Sequence, residues 1–170
     1  MAYEDIIESA SKQFSLDTDL IKAHIKAESN WDPKALRKEN GDYSYGLMQV
    51  MLPTARWLLN KPKLKSEELI QPTVNILVGA KYIRYNLDRY PKKLEDAIAS
   101  YNSGSPKFTK TGQYINQKYV DRVMGFYKGY KKGTAQVMDV LTGTGSNLTY
   151  ILGGLIFGGV LFYSLSKPSR

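Results

Sequence analysis

The sequence predicts a nearly all-helical domain followed by a single helix that crosses a membrane. Apolar side chains recur every three or four residues in several segments, which is the spacing of one buried helix face. The apolar–polar alternation typical of strands occurs only in short stretches of residues 40–50. Near the C-terminal end, residues 148–165 form an apolar run without a charge, which indicates a membrane span.

The first two helices are predicted within residues 3–29. The first is indicated by apolar residues at helical spacing, namely Tyr3, Ile6, Ile7, Ala10 and Phe14. The second follows the pair Asp17-Thr18, which is typical of a helix N-cap, and runs to about Ser29. Residues 30–45 are polar and contain proline and glycine, so they are predicted to form a loop.

Four further helices are predicted in the rest of the domain. Pro53 begins a short helix, because proline is favoured in a first helical turn. A longer helix begins near Pro72 and carries a stripe made of Ile76, Ala80, Ile83 and Leu87. Residues 94–101 form another stripe, which ends at the glycine and proline of residues 102–106. The last helix spans residues 114–130, so the domain is assigned to residues 1–132.

The C-terminal part is predicted to contain a linker (133–147), a transmembrane helix (148–166) and a basic tail (167–170). The apolar run would span roughly 27 Å as a helix, near the thickness of a hydrocarbon core. The alternative, a buried core helix, is disfavoured by the glycines and the lack of a polar face. Gly154 and Gly158 form a GxxxG pair that would allow self-association. The protein is therefore predicted to be a single-pass, membrane-anchored protein.

Composition limits the possible partners and cofactors. The formal net charge of +8 suits an anionic partner such as a lipid surface, nucleic acid or an acidic wall polymer. There is no long arginine-rich run, so nucleic acid is not the expected partner. The chain has no cysteine and one histidine, His24, so neither disulfides nor thiolate or histidine-rich metal sites are expected, and no cofactor. The N-terminal residues do not resemble a secretory signal peptide, so a function outside the cytoplasm would require another route of export.

Glu28 is the first candidate for chemistry. On a helical projection it shares a face with Ile21 and Ile25. A carboxyl group at the end of an apolar stripe would be partly desolvated, which raises its pKa and allows it to act as a general acid. The alternative is a carboxylate at a frayed helix end that pairs with a lysine. His24, one turn earlier, is interpreted as a packing or surface residue.

Four sequence blocks distinguish between these alternatives. They are Glu28-Ser29, Gly46-Leu47-Met48-Gln49, Ser100-Tyr101-Asn102-Ser103-Gly104 and Tyr119-Val120. In this order and spacing they resemble the transglycosylase domain of the soluble lytic transglycosylase family, over about residues 2–131. The resemblance implies a lysozyme-like fold and a peptidoglycan substrate. It also implies that Glu28 is the catalytic acid, which cleaves the bond between N-acetylmuramic acid and N-acetylglucosamine and leaves a 1,6-anhydromuramyl end.

The sequence blocks and the loop that precedes Gly46 supply the predicted substrate-binding residues. They are Ser29, Ser44, Tyr45, Gly46, Met48, Gln49, Tyr101, Asn102 and Tyr119. Tyr101 is expected to present its hydroxyl to Glu28, and Tyr119 matches a family tyrosine near the acid. This chain departs from the familiar pattern at Tyr45, where many members have a small residue, and at the serines of the Ser-Tyr-Asn-Ser-Gly block. The larger side chain of Tyr45 would change the contacts with the sugars but not the reaction.

Other functions remain open from the sequence. Asp32, Glu39 and Asp42 lie in the loop before Gly46, and a second carboxylate would permit hydrolysis, as in a goose-type muramidase. A structural membrane or virion protein with a non-catalytic glycan-binding domain is a third possibility. The lack of a signal peptide favours a phage virion enzyme that opens the wall locally during genome entry, with the lipid membrane and other virion proteins as partners. The alternative is a cellular, tail-anchored enzyme.

Overall fold

The computed structural model describes residues 3–39 and 41–142, and this part of the chain forms seven α-helices and a three-stranded sheet. The helices are α1 (Glu4–Phe14), α2 (Thr18–Ser29), α3 (Leu52–Leu59), α4 (Ser66–Leu69), α5 (Pro72–Arg89), α6 (Leu94–Ser103) and α7 (Gln117–Thr142). The strands are β1 (Leu36–Glu39), β2 (Asp42–Tyr45) and β3 (Val50–Met51). The predicted, mostly helical character is therefore confirmed for the described residues.

Local signals place several helix ends where the sequence predicts them. The Asp17 carboxylate accepts the backbone N–H of Asp19 at 2.9 Å and caps the start of α2. Pro53 and Pro72 lie in the first turns of α3 and α5, where a missing N–H costs nothing. Gly104 ends α6 with a φ of 76°, a left-handed conformation that glycine adopts readily.

The small sheet corrects the prediction that residues 30–45 form a loop. Strands β1 and β2 form an antiparallel hairpin in which Leu36 lies opposite Tyr45, and β3 pairs with the other side of β2. The sequence reading missed β1 because it has only four residues, and Leu36, Arg37 and Lys38 are all exposed. A strand with no buried face has no alternating pattern to detect.

The core is built around α5, which packs against α1, α3, α4 and α6. Its fully buried residues include Ile76, Val78 and Ala80. Gly79 lies directly beneath Met48, and a Cβ atom at this position would overlap the Met48 side chain. The absence of a side chain at Gly79 therefore lets the segment after β2 approach α5, which fixes the floor of the site described below.

Two helical elements differ from the prediction. The short helix α4 was not predicted, because four residues are too few to show periodicity. The last helix begins at Gln117 and continues to Thr142, so residues 133–142 of the predicted linker are helical. The candidate site lies within one compact unit that ends at Thr134, and α7 continues beyond this boundary.

The prediction of a single-pass membrane anchor needs correction. Among residues 3–39 and 41–142, no helix is both long enough and apolar enough to cross a membrane. The longest described helix, α7, carries charged residues throughout, including Lys118, Arg122, Lys128 and Lys131. The fold class is therefore corrected to a mostly helical domain with a small sheet, and within the described residues neither the predicted anchor nor the predicted membrane location has a helix to support it. The predicted span (148–166), its GxxxG pair and the basic tail lie outside the described residues.

Candidate active site

A pocket of about 440 Å³ lies where the end of α2, the start of α3, α5 and the end of α6 meet. Its lining residues are Glu28, Gln49, Val50, Met51, Thr54, Tyr82, Tyr101, Asn102, Ser103, Gly104 and Lys107. Three of the four sequence blocks thus contribute to one pocket, and its volume is typical of ligand-binding clefts.

Glu28 lies in the last turn of α2, where it lines the pocket although the residue is only 6% exposed. Its Oε1 accepts a hydrogen bond of 2.6 Å from the Tyr119 hydroxyl. Arg37 on β1 is a nearby cation: its Nη1 lies 4.0 Å from Glu28 Oε2, and its Nη2 donates to the Glu28 carbonyl at 3.1 Å. A carboxyl group so buried, yet bordering a pocket, is well placed to exchange a proton with a bound molecule.

The two tyrosines of the sequence blocks have different roles. Tyr119 contacts Glu28, whereas the Tyr101 hydroxyl donates to the Met48 carbonyl at 2.9 Å rather than to the acid. Burial and the neighbouring Glu28 carboxyl group raise the pKa of both tyrosine hydroxyls well above the ordinary value. Both hydroxyls therefore remain protonated donors, but only Tyr119 donates to Glu28.

The segment 46–49 is a tight turn between β2 and β3, and side chains of α2, α5 and α6 hold its backbone. Ser29 Oγ donates to the Leu47 carbonyl at 2.9 Å. Asn75 Oδ1 accepts the Met48 N–H at 2.8 Å, and Asn75 Nδ2 donates to the Tyr45 carbonyl at 2.7 Å. Because Ser29 follows Glu28 directly, the turn and the acid are held at a fixed distance.

Several side chains that were predicted to contact the substrate make contacts within the protein instead. Met48 is fully buried, and Ser44, which is 2% exposed, directs its hydroxyl to Gln49 Oε1 at 3.0 Å. Tyr45 is half-buried, with its ring near Tyr43, and it does not line the pocket. Ser29 and Gly46 also lie outside the lining. These residues shape the turn, and their side chains lie away from the pocket lining.

Gln49 and Asn102 do line the pocket. The Gln49 amide nitrogen donates to the carbonyls of Ala35 at 3.0 Å and Gly46 at 2.9 Å, so both of its hydrogens are engaged. Asn102 is exposed at the end of α6, and its Oδ1 accepts from Asn116 at 3.0 Å. Asn102 is thus the more accessible of the two amides.

Of the three acids weighed as a second carboxylate, two can be described. Asp32 Oδ1 accepts the Lys34 N–H at 2.8 Å, and Asp42 Oδ1 accepts the Tyr43 N–H at 2.7 Å. Neither lines the pocket, and the side chain of Glu39 lies outside the described part. In that described part, no group of three or more histidines and acids is arranged to hold a metal ion.

Sequence reasoning missed several residues of the site, and three of them have contacts that matter here. Asn75 is fully buried and supports the turn, Tyr82 lines the pocket from α5, and Arg37 borders Glu28. Of these three residues, only Asn75 could have been noticed in the sequence. Asparagine is unfavourable inside a helix, and Asn75 lies beside the apolar stripe of α5. Arg37 and Tyr82 have neighbours that depend on long-range folding, which periodicity does not report.

Comparison with known proteins agrees with this geometry. A family model described as the transglycosylase SLT domain matches residues 5–120. The transglycosylase of Enterobacteria phage PRD1 is 35% identical over 101 residues, which cover 59% of this chain and 34% of that protein. The membrane-bound lytic murein transglycosylase F 1 of Alkalilimnicola ehrlichii is 30% identical over 108 residues, covering 60% of this chain and 20% of its own length.

The fold is similar to that of a solved enzyme. The lytic transglycosylase Slt of Pseudomonas aeruginosa, solved as an inactive mutant, matches with a TM-score of 0.66 and 25% identity. The match covers 79% of this chain and 25% of that one. The chain therefore spans about a third of the length of the phage relative and a quarter or less of the other two, so the similarity concerns only part of larger proteins.

Proposed function

Because this chain belongs to the transglycosylase SLT domain family, we propose that it is a peptidoglycan lytic transglycosylase that cleaves between N-acetylmuramic acid and N-acetylglucosamine. One observation carries the proposal. Glu28 is buried at the pocket wall, and the Tyr119 hydroxyl holds its Oε1 at 2.6 Å. The carboxyl group is thus oriented, and the pocket beside it has room for sugar rings.

The first step is the transfer of a proton from the Glu28 carboxyl group to the glycosidic oxygen. The bond from this oxygen to the anomeric carbon of the muramyl sugar breaks, and the N-acetylglucosamine side leaves as an alcohol. General acid catalysis of this kind is worth about 10² to 10⁴ in rate. The Tyr119 hydroxyl then supports the carboxylate that remains, since a hydrogen bond to a charged acceptor is stronger than one to a neutral acceptor.

In the second step the Glu28 carboxylate accepts the proton of the muramyl C6 hydroxyl. The C6 oxygen attacks the anomeric carbon and closes the 1,6-anhydro ring, which restores the acid without consuming water. One carboxyl group suffices because the substrate supplies its own nucleophile. A hydrolase of the usual type needs a second carboxyl group across the sugar, about 5 to 9.5 Å from the first.

The described acids favour the transglycosylase over the muramidase. Asp32 and Asp42 use their carboxylates to accept nearby backbone N–H groups, and neither lines the pocket. We propose that the sugars are contacted instead by the pocket side chains Asn102, Tyr101 and Gln49. The remaining predicted residues, including Ser29, Ser44, Tyr45, Gly46 and Met48, would act by holding the turn that forms the pocket edge.

Product analysis of purified peptidoglycan digests tests the proposal. Mass spectrometry is expected to find anhydromuramyl ends, whereas reducing muramyl ends would establish hydrolysis and reject the transglycosylase. The Glu28→Gln variant is expected to lose activity by at least about a hundredfold. Asp32→Asn is the matched control, because the amide oxygen still accepts the Lys34 N–H, and it should retain the wild-type rate. Full activity in Glu28→Gln would remove the assignment of the acid.

We also propose that this enzyme acts in a phage particle, where it opens the wall locally during genome entry. The support is the 35% identity with the transglycosylase of a phage. Mass spectrometry of purified particles is the direct test, and absence of the chain from infectious particles would reject the virion role.

A further inference from the structure

A row of aromatic side chains leads out of the pocket along α5 and α3. Tyr82 lines the pocket, and its ring lies 5.0 Å from that of Tyr101. Tyr85, almost one turn later on α5, stacks on Tyr82 at 6.1 Å with an angle of 13° between the ring planes. Trp57 on α3 meets Tyr85 edge-on at 4.8 Å and 84°. Below, the aromatic row means Tyr82, Tyr85 and Trp57.

The row is open at its outer end and joined to the pocket at its inner end. Trp57 is 56% exposed, and Thr54, three residues earlier on the same helix, lines the pocket. Arg89 lies over the Tyr85 ring at 5.2 Å, and its Nη1 donates to the carbonyl of Gly104, another lining residue, at 3.1 Å. The wall of the pocket therefore continues into this aromatic surface on two sides.

We propose that the aromatic row is an accessory glycan-binding site, which holds sugar rings of the strand beyond the bond that is cleaved. This inference rests on the proposed function, since the occupant is the continuation of the same strand. The C–H groups on the faces of a pyranose ring pack well against aromatic rings, whose faces carry partial negative charge. The exposed Arg89 guanidinium provides hydrogen-bond donors for hydroxyl and acetamido oxygens at the same place.

The ring contacts explain why the site would be ready to bind. Trp57 rests against Tyr85, Tyr85 rests against Tyr82, and Arg89 covers Tyr85, so few side-chain rotations need to be lost on binding. A single exposed apolar residue is ordinary on a protein surface. Trp57 differs because Tyr85 holds its ring in place and because the aromatic row begins in the pocket. Stacking sites of this kind increase the affinity for long chains more than for short ones.

The test compares two substrates on the full chain. The probes are soluble, uncross-linked glycan strands and a tetrasaccharide that contains one cleavable bond. In Trp57→Ala the ratio of kcat/KM for strands to kcat/KM for the tetrasaccharide is expected to fall about tenfold through KM, while Trp57→Phe keeps most of it. Ile115→Ala, an equally exposed apolar residue outside the pocket, should leave the ratio unchanged. An unchanged ratio in a folded Trp57→Ala protein would overturn the proposal.

A second measurement separates this inference from the proposed activity. Calorimetry with the same strands is expected to give Glu28→Gln a measurable Kd, and Glu28→Gln with Trp57→Ala a Kd about tenfold higher. Equal Kd values, or no binding in Glu28→Gln, would reject the accessory site even if the wild type cleaves peptidoglycan. A wild type that binds strands through Trp57 but forms no cleaved product would instead reject the proposed activity and leave the accessory site in place.

Discussion

At the scale of single residues, the site depends on which group each buried hydroxyl contacts. Tyr119 and Tyr101 are 6% and 8% exposed, and both stay protonated because burial raises the pKa of each hydroxyl. The first donates to the Glu28 carboxyl group and the second to the backbone carbonyl of Met48. A hydrogen bond to a charged group contributes about 1.5 to 3 kcal/mol, against about 1 kcal/mol for a neutral pair. Removing the two hydroxyls should therefore have different consequences.

We predict that Tyr119→Phe lowers kcat by about 10- to 100-fold, because Glu28 loses the donor that orients and supports its carboxylate. The measurement is kcat on purified peptidoglycan strands, with the fold checked by circular dichroism. Tyr101→Phe is the matched control, because it keeps the ring that lines the pocket and loses only the hydroxyl bond to the Met48 carbonyl. It should mainly lower the free energy of unfolding, by about 1 kcal/mol. A Tyr119→Phe protein with the wild-type kcat would show that this hydroxyl has no part in the reaction.

At the scale of elements, the turn at residues 46–49 determines the shape of the pocket. It joins β2 to β3, and helices α2, α5 and α6 each hold its backbone or that of Tyr45 through Ser29, Asn75 and Tyr101. The sequence singles out this segment, but it does not show the side chains that hold its backbone. The side chains that hold the turn lie up to 53 residues away from it in sequence, so no local sequence pattern indicates them.

We predict that Gly46→Ala lowers the free energy of unfolding by about 3 kcal/mol. The φ of +70° costs a non-glycine residue about 1 to 2 kcal/mol, and the new Cβ would lie 2.8 Å from Asn75 Nδ2, which forces the brace to shift. Gly112→Ala is the matched control, because it shares a φ of +81° but has no atom within 4 Å of its Cβ position. It should cost only about 1 kcal/mol. Denaturant titrations measure both, and equal losses would mean that the contact with Asn75 does not matter.

At the scale of the whole molecule, what the sequence could predict follows from the range of each interaction. Helices α1, α2, α3, α5 and α6 were predicted because caps, prolines and 3.6-residue periodicity act within one element. The sheet was missed because its strands are only two to four residues long and the described side chains of β1 are exposed. The catalytic acid was proposed through sequence blocks, but its contact with Tyr119 joins residues 91 positions apart. Only the fold brings such groups together.

His24 links the stability of this whole unit to pH. It is 1% exposed, lies among apolar side chains of α2, α5 and α6, and its ring contacts Tyr101 at 4.9 Å. Its Nδ1 is 3.0 Å from the Leu20 carbonyl, which only partly offsets the loss of solvation. Burial lowers the pKa of His24 from 6.5 to about 4. The folded protein therefore keeps this ring neutral at pH values where the unfolded chain already binds a proton.

We predict that stability falls as the pH drops from about 6.5 to about 4, because the unfolded state holds more protons than the folded state in this window. Above the window both states are neutral at this position, so His24 adds no pH dependence there. The difference between the unfolded and folded pKa values of His24 lowers the free energy of unfolding by about 3 kcal/mol at pH 4. This loss is measurable by comparing the wild type with His24→Leu. Denaturant titrations at pH 7, 5.5 and 4.5 are expected to show a steeper loss in the wild type than in His24→Leu, since carboxyl groups titrate alike in both. If the unfolding free energies of the two proteins change with pH in parallel, His24 is protonated equally in the folded and unfolded states. That result is incompatible with a ring buried between Tyr101 and the apolar faces of three helices.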